Sequence, residues 1–313
     1  MLPALARNWV PILIFALFAT APFLGLGGRY EMTLLARIMI LASAAVSLAF
    51  LVGGAGLVSL GHAASMGFGA YAVAILDAHG IVATEIVLPA AILSAALFSL
   101  ATGAIAIRTS GVHFIMITLA FGQMAFYTAA SLAAYGGDDG YTLYHRNEVF
   151  GRAWLENRHV FHFACLGLLA ITWLLCRVLL ASRFGRVLRA SRENALRARA
   201  VGFDPYAYRL VGYVIAGAIG GMAGFLFANA TEFVAPAYIS WQRSGELLFM
   251  VILGGLAHLH GAILGALAFV LLEEWLASIT PHWKMIFGPL LIVAVLVLRG
   301  GLAGLLQGGR RDG

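Results

Sequence analysis

Long apolar runs follow one another along almost the whole of this chain, and they constrain its fold more than any other feature. Of the 313 residues, 62% are hydrophobic and only 11% are charged, whereas an ordinary soluble domain carries about a quarter charged residues. A globular core cannot bury so many apolar side chains, but a bilayer core of roughly 30 Å accepts about 20 apolar residues per helical span. The sequence therefore predicts an all-α, polytopic transmembrane helix bundle that extends over residues 1–313 as a single domain.

The positions of the apolar runs predict about ten membrane segments. They lie near residues 9–27, 33–52, 57–79, 85–107, 112–134, 160–181, 208–231, 244–257, 260–278 and 283–299. The third segment contains Gly61, Gly67 and Gly69, and the eighth is short for a full span, so either is a candidate for a broken or re-entrant helix. Eight full spans is the alternative count.

The distribution of arginine predicts which side of the membrane each loop faces, because Lys and Arg in short loops mark the cytoplasmic side. Seven arginines place the stretch 182–209 in the cytoplasm: Arg183, Arg186, Arg189, Arg192, Arg197, Arg199 and Arg209. Counting crossings from there puts Arg7, Arg108 and both chain ends on the same side, and the loop 135–158 outside. This topological role accounts for the net charge of +6 without a nucleic-acid partner.

A short internal echo predicts an inverted repeat. Residues 60–70 and 259–266 each begin with leucine beside a Gly–His or His–Gly pair, and each continues to a Gly–Ala pair. Glycine-interrupted segments at corresponding positions of two halves point to the pathway of a transporter. Gln123 is added to this set because it shares a helix face with Tyr127 and Ser131. The predicted broken or tightly packed helices around the translocation path contain Gly61, His62, Gly67, Gly69, Gln123, Gly254, Gly255 and Gly261.

No set of side chains in the sequence forms a convincing catalytic or metal site. His258 and His260 are two residues apart, so on a helix they would point to different sides, and no Cys or carboxylate is close in sequence to complete a metal set. Glu273 and Glu274 are interpreted as an exposed helix end. The chain is therefore predicted to be non-enzymatic and to use no cofactor.

The sequence also lacks an energy source of its own. A phosphate-binding loop of the form G-x-x-x-x-G-K-[ST] is absent, because the only lysine is Lys284 and a methionine follows it. A secondary transporter normally keeps acidic or histidine residues inside its spans. Here the acidic residues fall at predicted span ends: Asp77, Glu85, Glu232, Glu246 and Glu273. Energy is therefore expected to come from a partner.

The predicted cytoplasmic loop contains a helix of its own. Its arginines are interspersed with Leu188, Leu196 and several alanines, and Gly202 follows as a helix stop. Asp204-Pro205 then suits the N-cap and first position of the next helix. Orientation alone does not need so long a loop, so residues 182–204 are predicted to dock on a cytoplasmic protein, with both leucines as buried anchors of the interface.

Several motifs together resemble those of the LivM-type branched-chain amino acid permease family. They occur in the family's order and cover most of the chain: residues 58–64 with 67–71, 108–111 followed by 118–121, 136–140, 182–186, and 244–248 before 253–255. Each motif is weak alone, but the combination is specific. His258 departs from the pattern, since relatives favour a small residue there.

This resemblance implies one permease subunit of an ABC importer in a bacterial inner membrane. Its partners would be a second homologous permease, two cytoplasmic ATP-binding subunits and a periplasmic substrate-binding protein. The resemblance places the ATPase contact in residues 182–202, and the residues expected to couple are Arg183, Phe184, Gly185, Leu188, Arg192, Glu193, Leu196 and Gly202. The substrate stays open between branched-chain amino acids and the urea or short amides of sister permeases. A self-contained secondary transporter is the alternative outside this family.

Overall fold

The computed structural model of this chain is a helical bundle that describes residues 9–23, 27–256, 258–280, 282–297 and 300–306. Within them the helices are α1 (Trp9–Thr20), α2 (Arg29–Phe50), α3 (His62–Ala78), α4 (Thr84–Ala106), α5 (Val112–Ser131), α6 (Arg158–Ala181), α7 (Arg183–Glu193), α8 (Ala195–Ala200), α9 (Pro205–Thr231), α10 (Trp241–Gly254), α11 (Leu259–Ile279), α12 (Trp283–Val297) and α13 (Gly301–Leu306). Strands β1 (Tyr141–Thr142) and β2 (Phe233–Val234) pair antiparallel. Four arginines near the chain ends lie outside the described residues: Arg7, Arg299, Arg310 and Arg311. The predicted cytoplasmic location of both chain ends depends on them.

A helix lies in each of the ten predicted membrane segments, so the expected polytopic helix bundle is confirmed. Among the described residues, six helical stretches are long and apolar enough to cross a membrane: 29–55, 84–106, 112–131, 158–181, 205–231 and 259–279. Helices α3 and α10 are shorter, with 17 and 14 residues. Their shortness has a structural cause that is described below, and the number of full crossings stays a prediction.

The bundle has two ends of different composition. The arginine-rich end carries α7 and α8 together with the C-terminus of α2, because Arg192 donates a hydrogen bond to the Gly53 carbonyl. The loop end carries residues 132–157, which connect α5 to α6. Successive long helices run in alternate directions between these ends, as the predicted crossing order requires.

Polar contacts hold the loop end against the helices beneath it. Asn147 and Asn229 exchange hydrogen bonds of 2.8 and 2.9 Å, which join the loop to the C-terminus of α9. Tyr141 donates a hydrogen bond of 3.0 Å to Asp77 at the end of α3. Burial, and after it the hydrogen bond and negative charge of Asp77, raise the pKa of Tyr141 above its usual value. The loop is therefore an ordered cap.

Helices α2 and α9 form the centre of the bundle. Every side chain from residue 38 to 48 of α2 is fully buried, in contact with α6, α9, α10 and α11. Helix α9 approaches α3 and α4 through its glycines. A Cβ at Gly224 would overlap the Met66 carbonyl oxygen of α3, and a Cβ at Gly217 would overlap Ser99 of α4. The row of small residues thus permits the backbone contact that such rows provide in membrane bundles.

We predict that Gly224→Ala destabilises the protein by about 1–3 kcal/mol, because the added methyl forces α9 away from α3. Thermal unfolding of the detergent-solubilised chain measures the effect. Gly167→Ala is the matched control, since Gly167 lies inside α6 with no atom within 4 Å of its Cβ position. An equal loss of stability in both variants would show that the close contact at Gly224 is not specific.

Candidate functional site

The chain leaves helical geometry inside the bundle, between α2 and α3. Helix α2 ends in a π-helical turn, Leu51–Ala55, and Gly56 follows with a φ of 69°. Residues 57–61 then form a largely buried, non-helical link. The interruption expected in the third segment therefore precedes α3, whereas Gly67 and Gly69 lie within a continuous helix.

Side-chain hydroxyls satisfy two backbone amides of the 57–61 link. The Leu60 amide donates to Thr118 Oγ1 of α5 at 3.3 Å, and the Gly61 amide donates to Ser59 Oγ at 3.2 Å. An unpaired amide at membrane depth costs several kcal/mol, so these hydroxyls allow the link to be buried. Only glycine fits at position 61, because a Cβ there would overlap the Thr118 carbonyl oxygen.

A second irregular segment, residues 232–240, enters the bundle from the loop end. It contains β2 and a 3₁₀ turn, Pro236–Ile239, and is followed by α10. A Cβ at Gly67 of α3 would overlap the Ile239 side chain. Since Gly67 lies 11 residues before the end of α3, Ile239 is about 16 Å below that end. Helix α10 thus begins well inside the bundle, which explains why the eighth apolar segment is short.

The starts of α3 and α10 meet in a cluster that we call the polar junction: Ser47, Ser59, His62, Thr118 and Ser244, all buried. The amide of Ala63, in the first turn of α3, donates to Ser244 Oγ of α10 at 3.1 Å. The His62 Nε2 atom lies 2.8 Å from Ser47 Oγ of α2. Helix starts carry partial positive charge, and interrupted helices form the substrate sites of many transporters.

The three glycines predicted near the end of the chain also lie at a helix break. A Cβ at Gly254, the last residue of α10, would overlap the Gly261 carbonyl oxygen of α11. A Cβ at Gly261 would lie only 2.5 Å from the Gly254 carbonyl oxygen. Gly255 has a φ of 102°, which only glycine adopts readily. The structure therefore brings Gly254, Gly255 and Gly261 together where α10 turns into α11.

Helix α5 presents the predicted polar face outward. Gln123 is half-buried, and His113, Tyr127 and Ser131 are exposed. A cavity of about 680 Å³ lies on another side of α5, between it and α3 and α4, and is lined mostly by apolar side chains that do not include Gln123. The polar face of α5 therefore does not line this cavity and is open to a partner or to lipid.

The predicted cytoplasmic helix is two helices rather than one. Ser182 caps α7 by accepting a hydrogen bond from the Gly185 amide at 3.5 Å. Asn194 separates the helices and caps α8 by accepting from the Arg197 amide at 2.9 Å. Asn is among the best N-cap residues because its side chain replaces a missing intrahelical acceptor. A Cβ at Gly185 would overlap Leu180, so this glycine permits the tight turn out of α6.

The residues predicted to couple divide into a buried group and an exposed group. Leu188 is fully buried against Gly54 and Gly212 of this chain, so the prediction that it anchors an interface is wrong. Leu196 is 76% exposed and is available to a partner. Phe184 is half-buried, and its ring stacks on that of Tyr208 at 5.6 Å. Arg183, Glu193 and Gly202 are exposed, and Gly202 has a φ of 93° beyond α8.

Arg192 has a specific position within this region. Its Nη1 atom donates to the Gly53 carbonyl at 2.6 Å, inside the π-helical turn that ends α2. A Cβ at Gly56 would lie 2.9 Å from Arg192 Cγ. The last carbonyls of a helix lack intrahelical donors and attract cations. Arg192 therefore caps α2 from α7, which the spacing of arginines in the sequence did not predict.

The sequence pattern also did not predict an ion pair that lies inside the bundle. Arg37 of α2 donates to both carboxylate oxygens of Glu273 of α11 at 3.0 Å, and the two side chains are 29% and 17% exposed. Glu274 accepts a hydrogen bond from Tyr30. Helix α11 continues to Ile279, so interpreting the two glutamates as an exposed helix end is wrong. An arginine within the second apolar segment was the available signal, because such a charge needs a partner.

His258 and His260 lie together rather than on different sides. His258 precedes α11 in an extended conformation, and the two rings stack with centroids 5.1 Å apart. In the described part of the chain, no group of three or more His, Cys, Asp or Glu side chains could hold a metal ion. The pair is therefore not part of a larger ligand set there.

Comparison with known proteins identifies the family. Residues 31–296 match the family model described as branched-chain amino acid transport system, permease component. No solved structure gives a significant match.

Individual relatives of this chain are also named as permease proteins of transport or import systems. The chain is 26% identical to the high-affinity branched-chain amino acid transport system permease protein LivM of Escherichia coli K12, across 96% of this chain and 77% of the relative. It is 31% identical to a probable branched-chain amino acid transport permease protein LivM of Methanocaldococcus jannaschii, across 46% of each. It is 29% identical to the autoinducer 2 import system permease protein LsrC of Escherichia coli, across 44% of each.

We predict that Glu273→Gln lowers stability by about 1–3 kcal/mol, a value between those of exposed and fully buried ion pairs. The neutral amide leaves Arg37 with only the more distant carboxylate of Glu274, at 3.9 Å. Thermal unfolding in detergent is the measurement. The double exchange Arg37→Glu with Glu273→Arg is expected to recover part of the loss. Failure of the single variant to lower the unfolding temperature would show that the pair contributes nothing.

Proposed function

This chain belongs to the family of branched-chain amino acid transport permease components, and from that premise we propose that it is one permease subunit of an ABC importer. It would move branched-chain amino acids across the bacterial inner membrane while partner subunits hydrolyse ATP. The relatives named above are transport permeases, and the sequence lacks a phosphate-binding loop. The structural observation that carries the proposal is the exposed surface of α7 and α8.

This surface has the composition of a docking site for another protein. Three large apolar side chains are exposed on or just beyond the short helices: Leu196, Val201 and Phe203. Exposed arginines surround them, including Arg197 and Arg199. Apolar anchors supply most of the affinity of an interface, while surrounding charges steer its partner and fix the register. An ATP-binding subunit with an acidic rim around an apolar groove would complement this surface.

The arginine-rich end would face the cytoplasm. It carries the seven arginines between residues 183 and 209, and the positive-inside rule assigns such an end to the cytoplasmic side. The loop end would then face the periplasm. Its Asp138 and Asp139 are exposed, next to glycines with positive φ at 136, 137 and 140. A periplasmic substrate-binding protein would dock on this ordered loop.

A second, homologous permease would pack against α5. This helix exposes Val112, Met116 and Tyr127, which gives it an outward face of large side chains. Its inner side contacts the 57–61 link through Thr118. The translocation path would run along the outward face of α5, between the two permeases, and a movement of the link would shift α5 beside that path.

The ion pair inside the bundle favours a second candidate, a self-contained secondary transporter. Such proteins use charged groups within their spans to bind a coupling ion. Glu273 engages Arg37 through both carboxylate oxygens, however, so its charge is already compensated. The importer is the better supported function because it also accounts for the exposed surface of α7 and α8.

Uptake of labelled leucine and labelled urea by cells that express the chain with its neighbouring genes tests the function. We predict ATP-dependent uptake of leucine in preference to urea. Leu196→Asp should reduce both uptake and co-purification of the ATP-binding subunit by about tenfold or more, because a charge replaces an interface anchor. Leu100→Asp, at an exposed position of α4, is the control for a charge that replaces an exposed leucine outside α7 and α8. Uptake that persists without any ATP-binding subunit would favour the secondary transporter.

The orientation can be tested separately with Asp139→Cys. We predict that an impermeant thiol reagent labels this cysteine in intact cells, because the loop end faces the periplasm. Labelling of the two native cysteines should be low, since Cys165 and Cys176 are buried. Labelling that requires cell lysis would reverse the proposed orientation.

A further inference from the structure

We propose that Arg192 is a positioning residue that transmits movement of α7 to the 57–61 link, rather than a contact for the ATP-binding subunit. This inference rests on the proposed function, because it assumes that a partner moves α7. It changes the expected role of Arg192, which the sequence grouped with the partner contacts. In the structure the side chain of Arg192 is exposed, but its guanidinium donates to a backbone carbonyl of this chain.

The first step is the bond itself. Arg192 lies in the last turn of α7, and its Nη1 atom donates to the Gly53 carbonyl at 2.6 Å. Gly53 belongs to the π-helical turn that ends α2. Neighbouring carbonyls of this turn already have donors within the chain, since Gly56 donates to Val52 and Leu57 donates to Leu51. The guanidinium therefore completes the cap of α2, and the bond is charge-assisted, which makes it stronger than a neutral one.

The second step is the packing beside this bond. Leu188, one turn earlier on α7, is fully buried, and its Cδ2 atom would lie 3.1 Å from a Cβ at Gly54. The side chain of Arg192 passes equally close to Gly56. Well-packed contacts between rigid elements shift together rather than deforming. A displacement of α7 would therefore carry residues 53–56 with it.

The third step leads from this turn to the polar junction. Residues 57–61 follow directly, and their hydrogen bonds reach Thr118 of α5. The next residues begin α3, where the Ala63 amide reaches Ser244 of α10. The route from α7 to three membrane helices is thus continuous and short. A side chain that only bound the partner would not need the contact with α2.

Arg209 of α9 holds the C-terminal turn of α7 in place. It donates to the Ser191 carbonyl, which lies next to Arg192 in α7. The C-terminal turn of α7 is therefore held by α9 on one side and holds α2 on the other. This arrangement allows a tilt of α7 to be transmitted to α2.

The experiment compares Arg192→Gln, Arg192→Lys and Arg189→Gln in the full chain, purified with its partner subunits and reconstituted in vesicles. Arg189 is the matched control, because it is an exposed arginine of the same helix with no hydrogen bond or ion pair to the described residues. Co-purification of the ATP-binding subunit, ATP hydrolysis and leucine uptake are measured together. The ratio of uptake to hydrolysis reports transmission.

We expect Arg192→Gln to keep the ATP-binding subunit and its ATP hydrolysis but to lower the ratio of uptake to hydrolysis by about tenfold or more, as loss of a charge-assisted hydrogen bond predicts. Arg192→Lys should recover part of this ratio, because an ammonium group can donate to the same carbonyl. Arg189→Gln should leave the ratio unchanged. Wild-type uptake in Arg192→Gln, or loss of uptake in parallel with loss of the subunit, would overturn the proposal.

A local reporter separates transmission from damage to the fold. In a Val58→Cys background, thiol labelling is expected to change when a non-hydrolysable ATP analogue is added, and this change should disappear in Arg192→Gln. An unchanged nucleotide response in Arg192→Gln would also overturn the proposal. If the parent protein co-purified with no ATP-binding subunit, the proposed function itself would fail, which is a different result from any of these.

Discussion

The structure depends on one constraint, which is that backbone amides buried at membrane depth must find acceptors within the protein. A continuous helix meets this constraint by itself, but the 57–61 link does not. Hydroxyl groups of Ser59 and Thr118 accept from the link, and Ser244 accepts from the first turn of α3. Three small polar side chains thus allow the chain to leave helical geometry inside the bundle. Without them three buried amides would lack acceptors, at a cost of several kcal/mol each.

Close backbone approach follows from the same breaks. The link lies against α5 only because Gly61 has no side chain, and residues 232–240 lie against α3 only because Gly67 has none. Glycine is unfavourable within a helix in water, yet here it permits contacts that a methyl group would prevent. The glycines and the hydroxyls therefore act together: one group brings the irregular segments close to the helices, and the other satisfies their amides.

The sequence predicted the features that depend on local pattern. Apolar runs located a helix in each predicted membrane segment. Features that depend on distant residues were not predictable in the same way. Arg37 and Glu273 are 236 positions apart, so only the fold shows that they pair. Local pattern was also insufficient for Leu188 and Leu196, which occupy similar apolar positions although one is buried and the other exposed.

The division between these two leucines follows from the break at Asn194. Its side chain caps α8 and begins a new helix axis, so residues beyond it no longer follow the periodicity of α7. Helix α7 packs into the bundle through Leu188 and caps α2 through Arg192. Helix α8 presents Leu196 to the exterior. A continuous helix would place both leucines on roughly the same face. The break at Asn194 instead allows α7 to pack against the membrane helices while α8 stays exposed and available to a partner.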